Sequence, residues 1–315
     1  MMVKKLFLIL SLLLLYNEIS AQDEFTRELK AYPYNLKNTT VIGSTVRATI
    51  EQKDTLLDVA RRYDLSYYNE LEFLYPHLDE WLPPRDKPMV IPTMWVLPPT
   101  RHQQLVINLP EQRLYYFNKT SATVQTYPIG IGDEGWETPV GTFHIYEKRP
   151  NPTWYIPASL QEKYGMKMMP PGPDNPMGDF VMKFSAGAYG IHGTNVPWGV
   201  GGLVSHGCIR LYPEDIRLLY SQVKMGTKLE IIYEPVKMGQ RNGHIYMEAH
   251  PDIYRRIPDY CRYAWEKLRQ FSLADNVDLK RFQLALLLQN GMVTDITRLA
   301  VTDGFEREII NLMIQ

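Results

Sequence analysis

Ile191-His-Gly-Thr-Asn195, the run Trp198-Gly-Val-Gly-Gly202 and Ser205-His-Gly-Cys-Ile-Arg-Leu-Tyr-Pro-Glu-Asp215 form the stretch on which the reading of the chain turns. Cys208 lies two residues after His206 and sixteen after His192, with Gly207 beside it. A cysteine becomes a strong nucleophile when a neighbouring imidazole takes its proton. The glycines between the two segments let the backbone turn so that strand ends converge. Gly207 also lets the backbone N–H groups beside Cys208 approach a carbonyl oxygen, as an oxyanion hole requires. Two other readings of the same residues stay open. Cys208 could be a buried structural thiol among core histidines. Alternatively, His192, His206 and Cys208 could hold a zinc ion with one open position, although no short Cys/His ligand motif is present.

Around this stretch, strands are expected at Gln104–Asn108, Arg113–Phe117, Val124–Ile129, Gly141–Glu147, Phe180–Phe184, Ala188–His192 and Leu229–Tyr233, all rich in β-branched and aromatic residues. Pro110-Glu111 marks a hairpin turn between the first two. One helix is expected at Pro213–Tyr220, with proline at its first position and Glu214 and Asp215 in its first turn. Strands with one short helix predict a mainly-β sandwich or barrel over residues 100–235. Between two of the strands, Trp154, Tyr155, Tyr164, Met166, Met168 and Met169 either form a lid or simply pack.

Two further segments flank this domain, set off by Pro98-Pro99 and Pro235. In residues 22–98 a strand at Arg47–Ile50, helices at Asp54–Tyr63 and Tyr67–Leu74, and a strand at Pro88–Pro92 predict a small βααβ unit. Asp54 is its expected N-cap. Residues 236–315 read as mostly helical: Ile257, Cys261, Ala264, Trp265 and Leu268 share a face, which predicts a buried, inert Cys261. Asp278 should cap a helix over Leu279–Asn290 that Gly291 ends. The fold class is therefore α+β.

Met1–Ala21 combines Lys4 and Lys5, a run from Leu6 to Leu15 that is apolar except for Ser11, and a small residue before Gln22. That is the pattern of a secretory signal peptide, and the run is short of the ~20 residues a spanning helix needs. Cleavage after Ala21 predicts a periplasmic protein with no stable membrane anchor. The 315-residue chain is 45% hydrophobic with a formal net charge of −1, which excludes the basic face of a nucleic-acid binder. Its two cysteines cannot build a disulfide scaffold. His77, His102, His144, His244 and His250 have no partners nearby in sequence and read as structural or exposed.

His192-Gly-Thr-Asn195 and Ser205-His-Gly-Cys-Ile-Arg210 resemble the catalytic signature of the L,D-transpeptidases, peptidoglycan enzymes with a YkuD-type domain. Thr138-Pro-Val-Gly-Thr-Phe143 and Gly172-Pro-Asp-Asn-Pro176 resemble flanking motifs of that domain. Many members carry asparagine where this chain has Arg210, and arginine is an accepted variant. The resemblance implies Cys208 as nucleophile, His192 as proton donor and acceptor, and the Gly193 carbonyl as the group that orients His192. His206 would shape the pocket or polarise the carbonyl, the N–H groups of Gly207 and Cys208 would hold the oxyanion, and Arg210 would steady the loop or meet a substrate carboxylate. Ser205 would orient the histidine or make a plain loop hydrogen bond. The resemblance implies neither cofactor nor metal.

Residues 44–93, with Asp54-Thr-Leu56 and Val90-Ile-Pro92, resemble a LysM module, whose relatives bind peptidoglycan glycan strands. Lys53 stands where that module usually has glycine. The implied partners are stem peptides and glycan strands, with a second diaminopimelate, an outer-membrane lipoprotein lysine or water as acceptor. A hydrolase of the same fold and a non-catalytic peptidoglycan-binding protein are the alternatives.

Overall fold

The computed structural model describes residues 30–298 except 86, 101–103 and 188. The expected signal peptide, His102 and residues 299–315 lie outside the described residues. Leu105–Asn108 is buried along its whole length, which an antiparallel surface strand could not be. The reason is a sheet covered on both faces. Leu105 and Ile107 face one core with Leu114, Ile191 and Ile209. Val106 faces a second core with Tyr115, Phe117 and Val124.

That sheet has nine strands in the order Tyr32–Pro33, Thr123–Pro128, Arg113–Asn118, Leu105–Asn108, Lys228–Ile232, Gly141–Pro150, Phe180–Phe184, Gly190–His192 and Ile209–Arg210. The expected sandwich or barrel is thus realised as one large sheet. Gly141–His144 pairs with Lys228–Ile231, whereas Ile145–Pro150 pairs with Phe180–Phe184. A bulge between Ile145 and Glu147 marks the change of partner, and a bulge bends a strand. Helix Pro213–Gln222 covers the first face through Ile216 and Leu219.

The βααβ unit covers the second face. Val46–Ala48 pairs antiparallel with Met89–Ile91, and helix Leu56–Arg62 and the helical stretch Tyr67–Leu74 lie between them. The N-cap is Thr55 rather than Asp54. Thr55 and Asp58 form a capping box, while Asp54 takes Arg62 in a bidentate pair at 2.6 and 2.7 Å. The unit is fastened to the sheet domain by polar contacts. Arg61 reaches Glu214 with two bonds of 2.6 Å, and buried Arg113 meets Glu70 at 2.5 Å and the Asp64 carbonyl at 3.0 Å.

The third segment departs from expectation. Val236–Arg241 and His244–Ala249 form a hairpin joined by Thr294–Asp295, against which helices Tyr260–Gln270 and Leu279–Leu288 pack. It is a small α+β unit, not a mostly helical one. Asp278 does cap the last helix, but Gln289, at φ 43°, ends it before Gly291. Cys261 is exposed, not buried. It sits in the first turn of its helix, ahead of the buried Ala264 and Leu268 that anchor that face.

Lys237, Glu111 and Glu248, all fully buried, join this segment to the sheet domain. The Lys237 ammonium lies 2.8 Å from Glu111 and 3.0 Å from Glu248. His250 pairs with Glu248 at 2.7 Å. Burial pushes the Glu111 carboxyl up. Glu248 is held down, because Lys237 and His250 outweigh its own desolvation.

Candidate active site

Register explains how the two motif segments converge. Gly190–His192 runs parallel to Ile209–Arg210, with Ile191 opposite Ile209 and His192 opposite Arg210. Side chains alternate along strands. Ile191 and Ile209 therefore enter the core, while His192, Arg210 and, two residues earlier, Cys208 share the other face. These three line one cavity of about 310 Å³ with Ser205, His206, Val204, Pro176 and Met177.

His192 is 3% exposed. Its Nδ1 lies 2.7 Å from the Gly193 carbonyl. A carbonyl can only accept, so Nδ1 carries the proton and Nε2 keeps the free lone pair of a base. Burial, and then the Arg210 charge, hold the imidazole down at about 4, against the smaller opposing pull of the Gly193 and Met177 carbonyls. Burial raises the Cys208 thiol, partly offset by a Gly190 backbone contact and by Arg210. The resting pair is therefore neutral thiol and neutral imidazole, an arrangement for general-base catalysis.

The Cys208 loop is built by backbone-directed bonds. Ser205 Oγ donates to the Cys208 carbonyl at 2.6 Å and accepts the Gly207 N–H at 3.1 Å. Ser205 thus serves the loop rather than an imidazole. The Gly207 N–H, expected in the oxyanion hole, is turned onto Ser205 instead. Gly207 has φ +95°, and a Cβ there would lie 2.3 Å from the Tyr189 ring, so only glycine fits. Exposed His206 packs edge-on against Trp136 with centroids 4.7 Å apart. Burial lowers the Arg210 guanidinium, with Cys208 and Tyr164 pulling the other way. Its Nε is buried and has no hydrogen-bond partner among the described residues.

The aromatic and methionine residues expected as a lid or as packing divide their duties. Trp154–Tyr155 pairs with Met168–Met169 across helix Ala158–Tyr164. Trp154 and Tyr164 meet edge-on at 5.0 Å and line the cavity with Lys163 and Leu160. Tyr155, Met166 and Met168 face outward. Buried Asn175 pins the base of this flap through the carbonyls of Pro152 and Pro170 at 3.0 Å. Lys163 and Arg210 are the charged lining residues, and no carboxylate joins them.

The sequence profile of the YkuD family, the L,D-transpeptidase catalytic domain, matches residues 102–231. The chain is 34% identical over 283 residues to the probable L,D-transpeptidase ErfK/SrfK of Salmonella typhimurium, covering 85% of this chain and 91% of that one. The chain belongs to the L,D-transpeptidase family. It is also 37% identical over 235 residues to the probable L,D-transpeptidase YbiS of Escherichia coli, covering 71% of this chain and 76% of the relative.

In this L,D-transpeptidase, positioning residues lie outside the motif. Thr138, fully buried, accepts the Gly132 N–H at 3.1 Å and donates to the Gly207 carbonyl at 3.1 Å. Tyr254, from the third segment, donates to the Gly132 carbonyl at 2.5 Å. Thr138 was visible only as part of a flanking motif, and Tyr254 carried no sequence signal. Among the described residues, the one group of three His, Cys, Asp or Glu side chains close enough to share a metal ion is Glu111, Glu248 and His250. The Lys237 ammonium already supplies the positive charge there. Of the other histidines, His77 and His144 are exposed, and His244 pairs with Asp295 at 2.8 Å.

Proposed function

We propose that Cys208 and His192 carry a two-step acyl transfer on peptidoglycan stems. His192 Nε2 takes the Cys208 proton as sulfur attacks the carbonyl of diaminopimelate in a tetrapeptide stem. The tetrahedral intermediate collapses to a thioester, and the imidazolium returns its proton to the departing D-alanine amine. An acceptor amine then attacks the thioester, giving its proton to the same imidazole. The new amide forms, and the thiolate leaves and recovers that proton. One base serves both halves by microscopic reversibility. The Cys208 N–H and the neighbouring loop stabilise the oxyanion. Arg210, with its buried unpaired Nε, offers a guanidinium to a stem carboxylate. The single observation that carries this reading is a buried imidazole, its Nδ1 held by the Gly193 carbonyl, in one cavity with Cys208.

The leader at residues 1–21 supports export to the periplasm, where acyl transfer from an amide needs no ATP. Among the described residues no helix is long and apolar enough to cross a membrane. The acceptor is an amine, either diaminopimelate or a lipoprotein lysine. The resemblance of residues 44–93 to a LysM module supports a role for that unit in holding the glycan. Cys208→Ala should abolish thioester formation with a carbapenem while the circular dichroism spectrum stays native. A variant that still acylates would remove Cys208 from the reaction.

A further inference from the structure

A second cavity, of about 170 Å³, lies where the βααβ unit meets the sheet domain. Asp58, Arg61 and Trp81 stand on one wall, and Trp198, Val200 and Tyr212 on the other. Each wall contributes a well-exposed indole: Trp81 is 62% exposed and Trp198 59%. Exposed tryptophans on both sides of one groove are costly in water unless something covers them. Its polar lining carries no excess positive charge. Asp58 is the carboxylate, and the Arg61 guanidinium is already paired with Glu214 at 2.6 Å. The active-site cavity differs: its charged lining residues, Lys163 and Arg210, are both cationic.

The groove is held in place relative to the chemistry. Trp198 and Val200 belong to the loop that joins His192 to Ser205, and Val204 of the same loop lines the catalytic cavity. Gly201, at φ +88°, touches the βααβ unit so closely that a Cβ would fall 2.2 Å from Ser66 Cβ. Tyr212 adds a bond from its hydroxyl to the Leu65 carbonyl at 3.2 Å. The two walls therefore form one fixed surface that continues into the loop bearing the catalytic motif.

We infer that this composite groove binds the sugar strand of the substrate, with Trp198 of the catalytic domain as its second platform. The inference rests on the peptidoglycan transpeptidase reading. Flat aromatic faces suit the C–H faces of pyranose rings, and a few polar groups suit hydroxyl and acetamido substituents. Peptidoglycan is a polymer with a sugar backbone and stems that carry free carboxylates. An aromatic groove without excess positive charge, beside a cationic cavity, complements both halves at once. The enzyme thereby prefers stems still attached to glycan over free tetrapeptides.

The test uses the full-length protein, less its leader, in two measurements. First, binding to glycan strands stripped of their stems is followed by tryptophan fluorescence and by co-sedimentation on longer strands. Trp81→Ala and Trp198→Ala should each weaken it tenfold or more, and Trp198→Phe should recover it to within about threefold. Second, the ratio of kcat/KM on glycan-attached tetrapeptide to kcat/KM on free tetrapeptide should fall at least tenfold in Trp198→Ala, through KM. Loss of binding in Trp81→Ala alone would confine the site to the βααβ unit and overturn the composite groove. An unchanged ratio in Trp198→Ala would overturn it as well. Should the wild type fail to release D-alanine from any stem, the transpeptidase reading falls, while the first measurement still decides whether the groove takes sugar.

Discussion

Removing the charge of Arg210 should move the pH profile of acylation. His192 is held down from 6.5 to about 4, first by burial and then by Arg210. That displacement amounts to about 3 kcal/mol of discrimination against the imidazolium. At pH 5.5 such a histidine is about 97% neutral, whereas an ordinary one is about 9% neutral, roughly a tenfold difference in competent base. The sign follows directly. In the proposed mechanism neutral imidazole is the base, so activity is present above the folded pKa and lost as pH falls through it. The rate of Cys208 acylation by a carbapenem, read by mass spectrometry between pH 4 and 8, should hold its neutral-pH value to about pH 5 and halve near pH 4. In Arg210→Met a repelling positive charge is gone, so the acid limb moves up. It moves by less than the whole displacement, because burial is the larger cause. An acid limb near 6.5 in the wild type, or an unmoved limb in the variant, would refute this assignment of the base and its environment.

Thr138→Val removes the bridge between Gly132 and the Gly207 carbonyl and should slow acylation, with a stability loss of about 1–3 kcal/mol in urea unfolding; Thr138→Ser should restore both. Lys237→Met leaves Glu111 and Glu248 buried without their ammonium and should cost about 3–5 kcal/mol by the same assay, without altering the acid limb of acylation. Cys261 should react with iodoacetamide in the native protein, as peptide mapping would show, and Cys261→Ser should acylate at the wild-type rate. A Cys261 protected until unfolding would contradict its exposure.

The sheet domain was legible because its strands are dominated by burial. Phe180–Phe184 falls where β-branched and aromatic content placed it, and Leu105–Asn108 and Arg113–Asn118 fall within a residue of their expected bounds. Helix Pro213–Gln222 starts at the proline that announced it. The hairpin Val236–Ala249 was hidden because Lys237 and Glu248 occupy buried positions, so the apolar alternation that marks a strand is broken by charges that pair with each other. Asn242-Gly243, both at positive φ, is the local turn signal of this hairpin. Cys261 misled because helical periodicity assigns a face but not how far along the helix its cover extends.

At the site, His192, Cys208 and Arg210 were legible as residue types, and strand register supplied what spacing could not, a shared face. The direction of the Gly207 N–H depends on a local choice by Ser205 Oγ between an imidazole and the loop backbone, which composition does not encode. The long-range supports, Tyr254 to Gly132 and Arg61 to Glu214, join residues 122 and 153 positions apart. Neither has a periodic signature.

The most direct measurement is mass spectrometry of sacculi digested to muropeptides after incubation with purified enzyme, wild type against Cys208→Ala. Cysteine-dependent transfer predicts that the wild type releases D-alanine and converts tetrapeptide stems into diaminopimelate-linked dimers or amine-adduct tripeptides, while Cys208→Ala leaves the muropeptide profile untouched. Tripeptides alone, with no new amide, would make water the acceptor and the protein a hydrolase. The same products from Cys208→Ala as from the wild type would contradict the mechanism outright.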